Sequence, residues 1–439
     1  MRRQLLGVLS VCRRVAAPSA AYLGTNIIRT ALPFLLIPFL TKVLAPAEYG
    51  IVSLYQTLVL FIVPFVPFNV STAATIAYYK TSREEFARYV TSCLAPPVLI
   101  CIVLMAGMWI APDWMLSRFA VPRVWLVLLP LFGLSQLFPN LLLAVYQVEH
   151  KAISFGFFTT GMSAVNVGLT VFFISRLKWG WQGRLEGILW AQILFSLFAF
   201  FLLRQSRSLN KRISWQYIKD IARFCVPLIP HSLGASAIDM GDRLIIAALM
   251  GTAALGEYTI AAQIGQMLVI FVASLNQAWT PFLYRELEGI VPQRRREVVR
   301  ATYAVAGIIV LAFAGLVTLA PMAARAFVDK RFWPSLHLVP WIAAGYMFNG
   351  FYYLIGNYIF YAKQTRMLAL LTFGNAIFSI GLTYVGVRHF GIQGAAWATT
   401  VSWAVFFFAA WTLSNKVFPM PWALWRPMVP ANAATNAGV

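Results

Sequence analysis

The 439-residue chain is poor in charge. Charged side chains make up 11% of it, 35 Lys and Arg against only 14 Asp and Glu, where soluble domains carry about 25%. With 60% hydrophobic residues and a mean hydropathy of +0.73, so little charge could not cover the apolar surface of a soluble fold. Lipid is therefore the solvent for most of the chain. That excludes a soluble enzyme, a secreted disulfide scaffold and a nucleic-acid binder. The net charge of +21 falls in short segments between apolar runs, where the positive-inside rule accounts for it, so no nucleic acid partner is expected. Cysteine is scarce as well. Cys12, Cys93, Cys101 and Cys225 form no C-x-x-C, and neither disulfides nor a metal centre is expected. No Gly-Lys dipeptide occurs, hence no P-loop, and H-E-x-x-H and G-x-S-x-G are missing too. No cofactor and no catalytic residue is expected.

What the chain does have is apolar runs. A spanning helix needs about 20 mostly apolar residues, and twelve stretches qualify, at roughly 20–43, 50–78, 89–111, 124–147, 153–175, 186–203, 224–249, 255–284, 299–320, 336–361, 367–387 and 392–414. An even number puts both termini on one side, and the bias of Lys and Arg among the loops makes that side the cytoplasm. In the longest loop Ile213, Tyr217, Ile218 and Ile221 recur at helical spacing beside Trp215, which predicts a helix lying on the inner leaflet. Met1 to Ala20 reads as a shorter basic amphipathic segment on the same face. The predicted organisation is a six-helix lobe over 1–203, an interfacial linker over 204–223, a second six-helix lobe over 224–414 and a cytoplasmic tail over 415–439. No loop is long enough to hold a soluble catalytic domain.

The halves repeat. Leu23-Gly24 recurs at Leu233-Gly234, Glu48-Tyr49 at Glu257-Tyr258, Ala111-Pro112 at Ala320-Pro321 and Pro130 at Pro340. Gly180-Trp181-Gln182-Gly183 matches Gly391-Ile392-Gln393-Gly394. The matches run in order and almost in register. A six-span unit keeps its orientation when copied, so the fold class is an all-α polytopic membrane protein of twelve transmembrane helices in two parallel six-helix repeats. Transporters of that build place the substrate between their halves.

Ionisable residues inside spans are functional candidates, because lipid makes them costly. Arg29 lies in the first span, four residues before Pro33. Asp239, Asp242 and Arg243 lie in the seventh, where Asp239 and Arg243 are four apart on one helical face and so placed to pair. In the register of the repeat Arg29 falls on Asp239, which predicts opposite charges at equivalent depth in the two lobes. Amides also recur in spans, and Asn69, Gln263 and Gln266 would suit sugar hydroxyls if they face one cavity, although such amides also bind helix to helix. The candidate substrate-binding set is therefore Arg29, Arg243, Asn69, Gln263 and Gln266, with Asp239 and Asp242 for ion coupling or gating.

The first span and its exit, NIIRTALPFLLIPFLTKVLAPAEYG at 26–50, together with DMGDRLIIAALMGTAALGEYTIAAQIG at 239–265 and the Trp279-Thr280-Pro281 that follows, resemble the Wzx-type polysaccharide flippases of the multidrug/oligosaccharidyl-lipid/polysaccharide exporter superfamily. The resemblance implies a V-shaped, MATE-like exporter rather than an enzyme. It implies movement of undecaprenyl-diphosphate-linked oligosaccharide from the inner to the outer leaflet of the bacterial plasma membrane, for O-antigen, capsule or exopolysaccharide. It implies membrane lipids, a polysaccharide polymerase and a chain-length regulator as partners. An ion-coupled multidrug exporter of the same fold is the alternative, and a polytopic polysaccharide polymerase a more distant one.

Overall fold

The computed structural model describes residues 34–113, 120–210, 212–288 and 291–423. Arg29 and the amphipathic segment expected at Met1 to Ala20 lie outside the described residues. The helices are α1 (Phe34–Val43), α2 (Pro46–Ile62), α3 (Val70–Tyr78), α4 (Arg83–Ser92), α5 (Ala95–Ile110), α6 (Arg123–Ser135), α7 (Leu137–Val148), α8 (Ala152–Ser175), α9 (Gly180–Gln205), α10 (Trp215–Cys225), α11 (Leu228–Leu287), α12 (Pro292–Phe327), α13 (Val339–Tyr361) and α14 (Thr365–Val417), with a 3-10 helix at Lys330–Leu338. Among the described residues seven helices are long and apolar enough to cross a membrane. The protein is thus an all-α, multi-pass membrane protein.

Two of those seven, α11 with 60 residues and α14 with 53, each join two helical runs at a non-helical glycine. Gly251 has φ 84° and Gly391 φ 61°, in the left-handed region that a Cβ penalises. Gly180, which opens α9, has φ 56°. Gly180 and Gly391 are the equivalent glycines of the sequence repeat, and the second glycine of each motif also does the same work. A Cβ on Gly183 would press on the backbone of Phe173 and Ile174, and one on Gly394 would collide with the Gly386 carbonyl. The repeated G-x-Q-G therefore encodes a turn followed by a close helix-to-helix packing, once in each half.

Contacts group the chain into two compact units. The first holds residues up to Ile264 with Pro321–Val339 and Ser379–Ala398; the second holds Gly265–Ala320, Pro340–Phe378 and Thr399 onward. In the first unit, α3, α4 and α7 bury Val70, Ala74, Val90, Leu141 and Leu142 in one core. The longest loop does carry a helix, α10, which packs on that core through Ile221 and Cys225. In the second unit Leu268, Val272, Trp279, Val299, Leu354 and Tyr358 make the core. There Asn357 Nδ2 donates to Asn276 Oδ1 at 2.9 Å, with the Thr280 hydroxyl 3.3 Å from Asn357 Oδ1. The remaining faces stay apolar and open. Leu311 is 73% and Leu370 67% exposed, as helices solvated by lipid require.

Two expectations need correction. The second predicted span is interrupted, because Pro64 and Pro67 cannot donate and the chain turns over 63–69 before α3 begins. The sixth begins at Gly180 rather than near residue 186, so Arg184 lies inside a spanning helix and not in a loop.

Candidate functional site

Helix α2 starts where Pro46 occupies its first turn and the Glu48 carboxylate accepts the Ala45 N–H at 2.9 Å, a favourable end for an acid. That start fixes Gly50 against the run of α11 that follows Gly251. A Cβ on Gly50 would collide with the Thr252 carbonyl oxygen, and a Cβ on Gly256 with that of Pro46. The two backbones touch, reciprocally, and only glycine at both positions permits it. Around this crossing the Thr259 and Ser53 hydroxyls meet at 2.7 Å, and the Tyr49 hydroxyl donates to Gln263 Oε1 at 2.8 Å. Phe332 meets the Tyr49 ring edge-on at 5.7 Å. Arg331 Nη2 donates to the carbonyls of Thr41 and Lys42 at 3.0 and 3.1 Å, satisfying the open end of α1. Asp329 accepts from the Arg331 backbone N–H and Nε, which holds its carboxyl below the usual carboxylate range.

Two arginines are buried beside this crossing. Arg184 is 7% exposed, and its Nη1 donates to Asn166 Oδ1 at 2.6 Å and Thr170 Oγ1 at 2.9 Å. Arg243 is 4% exposed, with its Nη1 against the Asp239 carbonyl oxygen at 3.5 Å and the Met240 sulfur. Among the described residues neither guanidinium is in an ion pair, and both act electrostatically on the Tyr49 phenol. A buried cation without a carboxylate is costly. The arrangement is therefore suited to draw an anion, and Gln263 adds an amide beside it.

The predicted residues divide accordingly. Arg243 and Gln263 both border Tyr49. The ion pair expected between Asp239 and Arg243 does not form. A helical side chain leans back toward the N-terminus, so the guanidinium reaches the Asp239 main chain, while the Asp239 carboxylate stays exposed. Asp242 is tied locally. Its Oδ1 accepts the Arg243 N–H at 2.8 Å and its Oδ2 the Tyr258 hydroxyl at 2.5 Å. Asn69 ends the break in the second span in a left-handed conformation, φ 51°, and its Nδ2 donates to Ser232 Oγ at 3.3 Å. Gln266 belongs to the second unit and is half-buried. Arg29, and with it the alignment on Asp239, lies outside the described residues. Arg184 escaped the sequence reading. The repeat held the signal, since a turn at Gly180 equivalent to Gly391 sets the helix start four residues before the arginine. Among the described residues no three His, Cys, Asp or Glu converge to hold a metal ion.

A membrane fold with these features is that of the multidrug and lipid-flippase exporters. An inward-facing multidrug resistance MATE family transporter of the MOP superfamily superposes with a TM-score of 0.71, at 14% identity, over 89% of this chain and 97% of that one. The lipid II flippase MurJ, in an inward closed conformation, superposes with a TM-score of 0.71 at 15% identity, over 92% of this chain and 88% of that one. These neighbours are transporters and flippases rather than enzymes. The sequence then fixes the family: a model of the polysaccharide biosynthesis protein family matches residues 15–286, and the chain belongs to it. An Lsg locus protein of Haemophilus influenzae is 25% identical over 280 residues, 63% of this chain and 67% of that protein. An uncharacterized membrane protein of the same organism is 26% identical over 275 residues, 62% of this chain and 65% of its own length.

Proposed function

We propose that this protein moves an undecaprenyl-diphosphate-linked oligosaccharide from the inner to the outer leaflet of the bacterial plasma membrane, for cell-surface polysaccharide, by alternating access between a lobe over 1–203 and one over 224–414. The observation that carries the reading is the pair of buried arginines, Arg184 and Arg243, held without carboxylates beside a helix crossing that only glycines allow. A diphosphate supplies the missing anion. A sugar crossing bare hydrocarbon would lose many hydrogen bonds at several kcal/mol each, and amides such as Gln263 replace them. Outward movement of the anion also runs down an inside-negative potential, worth about 2.3 kcal/mol per charge per 100 mV, so the step needs no ATP. Buried arginines disfavour organic cations, which weighs against the multidrug reading of the same fold.

With both termini cytoplasmic, the Gly50–Gly256 crossing closes the outer end. Reporter fusions after Asn210 and after Pro292 then report inside, and a fusion after Trp179 reports outside. A polymerase and a chain-length regulator would take up the delivered units. The test is a deletion strain complemented with Arg184→Ala or Arg243→Ala. Lipid-linked repeat units should collect on the inner leaflet while the variants accumulate in the membrane. Normal polymer export by both variants, or lowered sensitivity to cationic dyes on overexpression with export untouched by deletion, would sink the reading.

A further inference from the structure

The linker helix α10 does more than join two halves. Together with the end of α3 and with α4 it walls a cavity of about 640 Å³. Lys80, Lys219 and Arg223 converge on it, and its one carboxylate, Asp220, accepts the Tyr89 hydroxyl at 3.2 Å. Among the described residues none of the three bases is in an ion pair. Lys219 stands 5.9 Å over the Trp215 ring, and the Tyr89 and Tyr217 rings lie 5.4 Å apart at the cavity wall. The wall is fixed in place. Ile221 and Cys225 are fully buried in the core shared with α4 and α7, the Ser214 N–H donates to Ser92 Oγ at 3.0 Å, and the Asn210 N–H donates to Thr91 Oγ1 at 2.8 Å.

We propose that this cavity docks the diphosphate-sugar headgroup of the lipid-linked substrate at the inner leaflet, before the headgroup reaches the buried arginines. The proposal rests on the flippase reading. Topology alone asks only that bases be on the inner side, scattered along the loops. Here three converge on a walled cavity whose only acid is tied to a tyrosine, a net surplus of two positive charges. Two charges match a diphosphate better than the single charge of a phospholipid headgroup. The half-buried Tyr217 ring at the cavity wall offers a surface to a sugar, and an amphipathic helix such as α10 suits the headgroup region of a leaflet.

The experiment measures binding of farnesyl diphosphate to the purified full-length protein in detergent, with phosphatidylglycerol as competitor. The variant Lys80→Gln/Lys219→Gln/Arg223→Gln should weaken binding about tenfold or more, as expected when converging charges facing an anion are removed, and should slow export in cells. Asp220→Asn should tighten binding severalfold, and this second variant decides the matter if the triple one does not accumulate. Unchanged affinity in both variants overturns the proposal. So does competition by phosphatidylglycerol as strong as that of the diphosphate, which would make the cavity a general anionic-lipid surface. If Arg184→Ala blocks export while the triple variant exports and binds normally, the flippase reading stands and the docking site falls. If no variant, Arg184→Ala included, alters export, the flippase reading itself falls.

Discussion

The two compact units solve the same problem differently. Each must satisfy polar groups away from water. In the second unit amide meets amide, with Asn276, Asn357 and Thr280 closing a neutral network. In the first, a full charge is met among the described residues by neutral partners, Arg184 by Asn166 and Thr170. The G-x-Q-G repeat gives a second contrast, this one within the first unit, since the residue after Gly183 is Arg184 and the residue after Gly394 is Ala395. Ala395 is fully buried. A duplicated fold thus carries an unduplicated charge, and the lesson is that the backbone of the repeat was kept while its interior electrostatics diverged.

The most severe way to break the contrast is to restore the symmetry. Ala395→Arg places a full charge at a fully buried position, at a cost of about 3–5 kcal/mol. It should prevent accumulation in the membrane, as immunoblots of the membrane fraction would report. Removing the charge from the other half is milder for folding and decisive for transport. Arg184→Ala should accumulate yet lose about tenfold or more of polymer export, and Arg184→Lys should keep part of it, because a point charge attracts an anion without the guanidinium fork. In the neutral network, Asn357→Ala leaves Asn276 short of a donor and should lower stability by about 1–3 kcal/mol in thermal unfolding, with export falling only as the amount of protein falls. The smallest effect separates two neighbouring acids. Asp242→Asn should cost about 1 kcal/mol, since Tyr258 and the Arg243 backbone both donate to it. Asp239→Asn should stay within about 0.5 kcal/mol of the wild type, because its carboxylate is exposed and unpaired with Arg243. A larger loss at Asp239 than at Asp242 would reverse the assignment of the two acids.

Much of this architecture was legible in the sequence, because lipid imposes long apolar helices and the repeat marks its turns with glycine. The helix α10 in the longest loop was legible too, from Tyr217, Ile218 and Ile221 at helical spacing. The interior was less so. Arg184 was misplaced because Trp179, Gly180, Trp181 and Gln182 read as a loop by composition, although the turn at Gly180 starts the helix. The supposed Asp239–Arg243 pair rested on spacing, which places Cβ atoms but not the direction a long side chain takes. Gly50 and Gly256 carried no signal of each other, since partners across a fold 206 residues apart are set by packing rather than by any local pattern.

The Gly50–Gly256 contact has an energetic corollary. Glycine on glycine brings backbones together with no side chains to interlock, so little has to be unpacked when they part. What specifically holds the contact is the Tyr49–Gln263 bond and the Ser53–Thr259 hydroxyl pair. Each is worth about 1 kcal/mol net, together a factor of about 30 in an equilibrium constant. A two-state balance swings from 1:99 to 99:1 for about 5.5 kcal/mol of differential binding. If the proposed alternating access opens this contact, two such bonds lie within reach of the differential binding of a phosphate group.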